Sequence, residues 1–254
     1  MHILLTNDDG IYADGIYAIY AGLAKWADVT VVAPDSERSS VGHGITLAHP
    51  IYFKKVKRKG KFFGYGISGT PADCVKFGVS VILKRKPDLV VSGINFGAND
   101  GTSVFYSGTV AGAREGAIMG IPAIAFSLGT FVNPDFAPAA KVASRLVKIL
   151  SKQHMPAGSF INVNIPPVKA SQIKGIKVCR QGTQPIHEEF LKRVDPGQRQ
   201  YYWMTGSMPV IPNDDGTDTY ALKKKYITVT PIHCDLTDYP FLSDLKANPA
   251  LYRI

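Results

Sequence analysis

The hydrophobic pattern changes character at about residue 180. Before that point, short apolar runs alternate with segments whose apolar residues recur every three or four positions. His2–Thr6 has the length and composition of a buried strand. Asp14–Trp26 places Ile16, Ile19, Tyr20 and Leu23 on one helical face. Asp28–Ala33 reads as a second strand, stopped by Pro34. Thr70-Pro71-Ala72-Asp73 has the form of an N-cap, a proline at the first helical position and an acidic first turn, opening a helix toward Leu83. Asp88–Ser92 is a third core strand. Ser107-Gly108-Thr109 precedes a helix over Val110–Met119, Ile121–Ser127 is a fourth strand, and Ala137–Leu150 a helix with Val142, Leu146, Ile149 and Leu150 on its apolar side. This rhythm predicts an α/β fold, a mostly parallel sheet covered on both faces.

The second part reads differently. Ser159–Ile165 and Ile176–Cys179 are strand-like. Residues 181–220 mix polar and apolar positions without a helical period, with turn signals at Asp195-Pro196-Gly197 and Asn213-Asp214-Asp215-Gly216. Tyr201-Tyr202-Trp203 fits a small β excursion. Tyr226–Thr230 is another strand, and Asp244–Tyr252 a short terminal helix.

Composition narrows the picture. With 254 residues, 45% of them hydrophobic, the chain can bury a full core as one large domain or one domain with an appendage. No apolar run approaches the roughly 20 residues that cross a membrane, and residues 1–6 are too short for a secretory segment. The cytoplasm is the expected compartment. Cys74, Cys179 and Cys234 are odd in number and far apart, which predicts small buried hydrophobes rather than a disulfide framework or a thiolate metal site. The formal charge of +9 favours anionic partners, phosphate esters and nucleic acids alike. Lys54–Lys61 holds six basic residues and no acid. It lies between Ile51-Tyr52-Phe53 and Phe62-Phe63-Gly64-Tyr65, which read as hairpin arms, with the basic run as a solvated tip that protects an edge or as a nucleic-acid contact.

The candidate chemistry sits at strand ends, where parallel sheets hold ligands. Asn7-Asp8-Asp9-Gly10 follows the first strand. Two adjacent carboxylates there repel each other and resist burial, and a hard divalent cation answers both objections. A solvated Asp-Gly turn is the plainer reading. Adjacency suits shared ligation better than an aspartyl nucleophile, whose partner carboxylate usually stands one residue further off. Glu37-Arg38-Ser39-Ser40-Val41-Gly42-His43-Gly44 follows the second strand. A serine hydroxyl there can complete an oxygen shell or cap a turn, and His43 is a metal-shell or acid/base candidate or a structural histidine. In Ser92-Gly93-Ile94-Asn95-Phe96-Gly97-Ala98-Asn99, an amide can ligate a cation or donate to a phosphoryl oxygen. Ser107-Gly108-Thr109 at a helix start offers hydroxyls, free N–H groups and the positive dipole end, a ready anion site.

Together these stretches resemble the SurE (survival protein E) family of metal-dependent nucleotidases. The matching segments include Thr6–Gly10, Val32–Asp35, Arg38–His43, Gly69–Val75, Val91–Asn95 and Tyr106–Val110, with later echoes in Asn162–Pro166, Tyr202-Trp203 and Thr230–His233. The resemblance implies metal ligands at Asp8, Asp9, Ser39 and Asn95, a phosphate site at Ser107, Gly108 and Thr109 joined by Asn95, and catalytic roles for Asp8, Asp9 and Asn95. His43 is the next candidate for proton transfer. It implies one divalent ion per subunit (Mn²⁺ or Mg²⁺, with Co²⁺ a third candidate) and hydrolysis of nucleoside 5′- and 3′-monophosphates, with short polyphosphate as a further substrate.

The implied fold is a Rossmann-like three-layer domain in which residues 1–180 carry the active site. Residues 181–254 form a β-rich excursion exchanged between the subunits of a homodimer or homotetramer. Gly44 stands where the family commonly has Ser, Thr102 and Ser103 where it has a nearby acid, and Arg114 where it has a neutral residue. Two rival readings stand beside this one. The first is a nucleic-acid or nucleotide-binding module built on the 54–61 hairpin. The second is an aspartyl-phosphate enzyme with Asp8 or Asp9 as nucleophile.

Overall fold

The structure is a computed structural model that describes residues 1–185, 187–207 and 213–252. The excursion expected over residues 181–254 therefore includes residues 186, 208–212, 253 and 254, which lie outside the described residues.

In chain order the elements are β1 (His2–Thr6), α1 (Asp14–Leu23), β2 (Asp28–Pro34), β3 (Phe53–Arg58), β4 (Lys61–Ile67), α2 (Pro71–Phe77), β5 (Leu89–Phe96), α3 (Gly108–Ile118), β6 (Ala123–Leu128), α4 (Phe136–Leu150) and β7 (Ser159–Ile165). They continue with β8 (Ile176–Val178), β9 (His187–Val194), β10 (Gln200–Ser207), α5 (Asp218–Lys223), β11 (Ile227–His233) and α6 (Tyr239–Lys246). Nine strands form one sheet in the order β3-β4-β2-β1-β5-β6-β7-β11-β8, while β9 and β10 pair separately as an antiparallel ribbon. Pairing is parallel from β4 through β2, β1, β5 and β6 to β7, and between β11 and β8. It is antiparallel where β3 meets β4 and where β11 meets β7.

Alternation along the strands sorts the core into two layers. Ile3 and Leu5 of β1 pack with α1 and α4 through Ile16, Ile19, Leu23, Ala143 and Val147. Leu4 faces the other way, into Cys74 and Val75 of α2 and Val110, Ala113 and Ala117 of α3. Both faces of the α/β sheet are thus covered, as the rhythm of the first half predicts. The chain steps from β1 to β2 on one side and returns to β5 on the other, so the strand order reverses at β1. Such reversals open a crevice at the carboxyl ends of the strands.

Several boundaries differ from the sequence reading, each for a local reason. α1 ends at Leu23 rather than Trp26. β5 continues past Ser92 to Phe96 through an irregularity in its pairing with β6 between Ser92 and Asn95, so Asn95 belongs to a strand and not to a loop. Lys54–Arg58 is not a hairpin tip: it forms β3, the sheet's antiparallel edge strand. The turn itself is Lys59-Gly60, both with positive φ (51° and 76°), the backbone that a two-residue hairpin requires. Arg58 pairs with Asp14 at 2.6 Å and lies 4.2 Å over the Tyr17 ring, and Lys59 lies 5.2 Å from the same ring, so part of the basic run is committed to α1. α5 is a six-residue helix that begins at the end of the stretch without a helical period and is too short to display one. α6 begins at Tyr239, ahead of the expected Asp244, because Asp238 caps it by accepting from the Phe241 N–H at 3.0 Å.

Cys74 and Cys179 are buried, Cys234 is partly buried, and all three are free thiols. Among the described residues, no helix is long and apolar enough to cross a membrane.

Candidate metal and phosphate site

β1 delivers its carboxylates through a tight turn. The Asn7 side-chain amide donates to the Gly10 carbonyl at 3.0 Å, and the Ile11 N–H donates to the Pro34 carbonyl at 2.8 Å. Gly10 has φ of +95°, which L side chains rarely adopt. This turn ends the strand's alternation, so Asp8 and Asp9 need not point to opposite faces.

Asp8 is 4% exposed and faces the start of α3. Thr109 donates its hydroxyl to the Asp8 carboxylate and turns its backbone N–H toward it. Between them lies Gly108, where a Cβ would stand 2.7 Å from the Asp8 Cβ and 2.9 Å from Oδ2. Only a glycine lets the helix start come this close. Asp9 is held from the other side, its Oδ2 accepting from the Phe96 N–H of β5 at 3.2 Å. The Arg38 N–H donates to the Asp8 carbonyl at 2.8 Å and draws in the loop after β2. Four segments far apart in sequence therefore meet at Asp8 and Asp9.

The electrostatics of this pair are unbalanced. Burial pushes the Asp8 carboxyl above its ordinary value, against the lowering effect of Thr109. Burial and the neighbouring Asp8 push Asp9 up to about 7. The charges acting on both are acidic, with Glu37 adding to each, and no basic side chain pairs with either among the described residues. A cation at this point would relieve both the burial cost and the repulsion.

The remaining donors are oxygen atoms. Asn95 is 9% exposed, and its amide N–H₂ donates to the Gly97 carbonyl at 2.8 Å, which leaves the side-chain oxygen as the atom to offer a cation. Ser39 is exposed and donates its hydroxyl to Glu37 at 2.7 Å. Two carboxylates, an amide oxygen and a hydroxyl form a hard-donor set that fits Mg²⁺, Mn²⁺ or Ca²⁺.

The helix start is more occupied than its sequence suggests. Ser107 is the N-cap of α3, its Oγ accepting from the Val110 N–H at 3.0 Å. The anion facing the first turn is the Asp8 carboxylate itself, and the Thr109 hydroxyl is spent on it. His43, from the loop after β2, meets the same helix further along, at Glu115. Its Nε2 is 2.8 Å from Glu115 Oε2, and Lys76 reaches the other Glu115 oxygen at 2.7 Å. Among the described hydrogen bonds, the His43 ring meets Glu115 and none of the other site residues. Burial alone would raise the Glu115 carboxyl, 2% exposed, but its bonds to His43 and Lys76 hold it below the ordinary value. The loop between Ser39 and His43 is further tied down where the Gly42 N–H donates to the Tyr106 carbonyl at 2.9 Å and the Thr70 hydroxyl to the Gly44 carbonyl at 2.7 Å.

Two residues that sequence reasoning missed belong to this neighbourhood. Glu37 bonds Ser39 and adds negative charge at both aspartates. Its signal was its place two residues before Ser39. Glu115 anchors His43 from 72 residues away, and nothing local marks it.

A family model described as Survival protein SurE matches residues 3–188. A "5'-nucleotidase SurE" of Syntrophobacter fumaroxidans is 49% identical over 245 residues, 96% of this chain and 98% of that one. One from Thermosipho melanesiensis is 46% identical over 246 residues, 97% of this chain and 96% of its own length. The crystal structure of the SurE protein from Aquifex aeolicus superposes with a TM-score of 0.85 at 43% identity, covering 97% of this chain and 98% of that one. On sequence and fold alike, the chain belongs to the SurE family.

Proposed function

We propose that this protein is a divalent-metal-dependent phosphomonoesterase that hydrolyses nucleoside 5′-monophosphates, with 3′-monophosphates and short polyphosphate as further substrates. The observation that carries the reading is the pair of buried Asp8 and half-buried Asp9 at the strand-order reversal, uncompensated by any basic side chain among the described residues and set against a helix start. Asp8, Asp9, Ser39 and Asn95 would hold one Mn²⁺, Mg²⁺ or Co²⁺ ion. When bound there, the ion supplies Lewis-acid polarisation of the phosphoryl group and a more acidic water.

The chain's own groups do the rest. Asp8 and Asp9 fix the charge at the strand end, and either can take the proton of an attacking water. The Ser107 hydroxyl, the Gly108 N–H and the positive end of α3 favour charge on the phosphoryl oxygens. Thr109 acts through Asp8, holding its carboxylate against the helix start. His43 is the candidate for a further proton transfer, and its bond to Glu115 also sets the position of the Ser39 loop.

Residues 1–180 form the catalytic core in this reading, and residues 181–254 an arm exchanged within a homodimer or homotetramer. The β9–β10 ribbon supports this. It pairs outside the main sheet and exposes Phe190, Tyr202, Trp203 and Met204. An isolated two-stranded ribbon of that kind is marginal in water by itself. Three free thiols suit a reducing cytoplasm.

The test is phosphate release from a panel of nucleotides and polyphosphate across Mn²⁺, Mg²⁺ and Co²⁺. Metal-dependent release, abolished by chelator and by Asp8→Asn, is the expected result. Release unchanged by both would overturn the reading.

A further inference from the structure

Phe96 follows Asn95 directly and ends β5. Its ring centroid lies 6.3 Å from that of Phe131, with the planes at 56°. Both rings are open to solvent, Phe96 at 37% and Phe131 at 70% exposure. Large aromatic side chains left in water at a strand-end crevice are costly unless something covers them.

The pair is also built to stay in place. Gly97 has φ of +116°, and a Cβ there would meet the Phe131 ring at 2.3 Å, so the ring is seated against the bare Gly97 backbone. The loop that presents Phe131 is pinned on both sides. The Thr130 hydroxyl donates to the Val132 carbonyl at 2.9 Å and accepts from the Val132 N–H at 3.1 Å, while the Thr130 N–H donates to the Leu128 carbonyl at 2.7 Å. At the other end, the Phe96 N–H is fixed to Asp9. Two exposed aromatic faces are thereby held at a set position beside the phosphate chemistry.

We propose that Phe96 and Phe131 form the nucleobase platform of the site, and that Phe131 determines the preference for nucleotides over other phosphomonoesters. The inference rests on the nucleotidase reading above. A nucleoside monophosphate carries its base one sugar away from phosphorus, and the platform is tied to the carboxylate pair by the Phe96 N–H, 3.2 Å from Asp9 Oδ2. Every base has a π-face, so the platform recognises bases by stacking. Purines, with the larger face, are preferred over pyrimidines.

The test compares kcat/KM for AMP, UMP and ribose 5-phosphate in wild type, Phe131→Ala, Phe131→Leu and Phe131→Tyr. Adenosine binding to the metal-free protein is followed in parallel by calorimetry. Stacking of ordinary strength predicts that the AMP to ribose 5-phosphate ratio falls about ten-fold in Phe131→Ala. The same loss is expected in Phe131→Leu, which still fills the space over Gly97 but has no π-face. Phe131→Tyr keeps the ratio, and adenosine binding weakens in step with it. A ratio unchanged in Phe131→Ala and Phe131→Leu, with adenosine affinity unchanged, overturns the platform. A wild type inactive on every phosphomonoester overturns the nucleotidase reading instead, and adenosine binding then still decides whether Phe131 stacks a base.

Discussion

The Thr109 hydroxyl donates to the Asp8 carboxylate, so the end of β1 and the first turn of α3 share one negative charge. That charge is retained at a cost. Both aspartates are held above the ordinary 3.8, Asp8 by burial and Asp9, at about 7, by burial and by Asp8. Carboxyls raised in the folded state favour it when protonated, and their ionisation destabilises the metal-free protein as pH rises from 3.8 toward 7. Asp8→Asn removes one of the two charges. The metal-free variant is expected to melt above wild type at pH 8, with the gap closing toward pH 5, while its phosphatase activity falls by about a hundred-fold or more. Thermal melts of both proteins across pH check this. A variant less stable than wild type at pH 8 would contradict the assignment of strain to this pair.

The same shifts make metal binding compete with protons. A cation at Asp8 and Asp9 needs both carboxylates ionised, and Asp9 titrates at about 7 without it. Mn²⁺ should bind more weakly at pH 6 than at pH 8 and release protons as it binds at pH 6. Its stabilisation of the fold should be larger at pH 8, where the metal-free protein carries the full repulsion. Calorimetric titration in buffers of different ionisation enthalpy measures the proton release directly. Equal affinity at the two pH values, without proton release, would exclude Asp9 as a ligand.

His43 and Glu115 couple the Ser39 loop to α3. Glu115 is 2% exposed and divides its oxygens between His43 and Lys76. Its depressed carboxyl contributes stability that is present above the ordinary value of 4.5 and lost as pH falls through the folded one. His43→Ala leaves a buried carboxylate with one partner fewer, a loss of about 1–3 kcal/mol in a denaturant melt. If His43 acts by positioning, His43→Ala raises the Mn²⁺ concentration needed for half activation and leaves kcat at saturating metal nearly intact. If it transfers a proton, kcat itself falls by about a hundred-fold and the pH–rate profile loses a limb.

These contacts show where the sequence is readable. Asp8 and Asp9 stand out because two carboxylates at the end of the apolar run His2–Thr6 have no comfortable place in a core. The alternation of strands and helices is legible because each element buries one face, and burial sets its period. Asn95 could be placed at a strand end but not within β5, because the irregular pairing after Ser92 follows from contact with β6 and not from local preference. Glu115 looks like one acid in a helix of small residues until His43 and Lys76 reach it. Phe96 and Phe131 are single aromatics in polar stretches, and their meeting depends on the bare backbone of Gly97. The family resemblance carried over the proposed ligands but not the contacts that orient them.

A second carboxylate pair lies apart from Asp8 and Asp9. Burial and the neighbouring Asp218 push the Asp100 carboxyl up to about 6. Asp218 is fully buried and accepts from the N–H groups of Gly101 at 3.1 Å, Gly182 at 2.8 Å and Thr219 at 2.8 Å. Its own value is raised by burial against those bonds. The N–H groups favour charge on Asp218, so Asp100 is the member whose ionisation costs most. Asp100, raised in the fold, weakens the protein as pH climbs from 3.8 toward 6, and the cost is complete at pH 7. Asp100→Asn should therefore stabilise the protein by about 1–2 kcal/mol at pH 7, after discounting for partial exposure, and by little at pH 4. Asp218→Asn should destabilise at pH 7, because the N–H groups of Gly101, Gly182 and Thr219 then face an amide in place of a carboxylate, and by less at pH 4. Urea melts of the two variants at pH 4 and pH 7 separate these outcomes. A stabilising Asp218→Asn beside a destabilising Asp100→Asn would reverse the assignment of which carboxyl carries the proton.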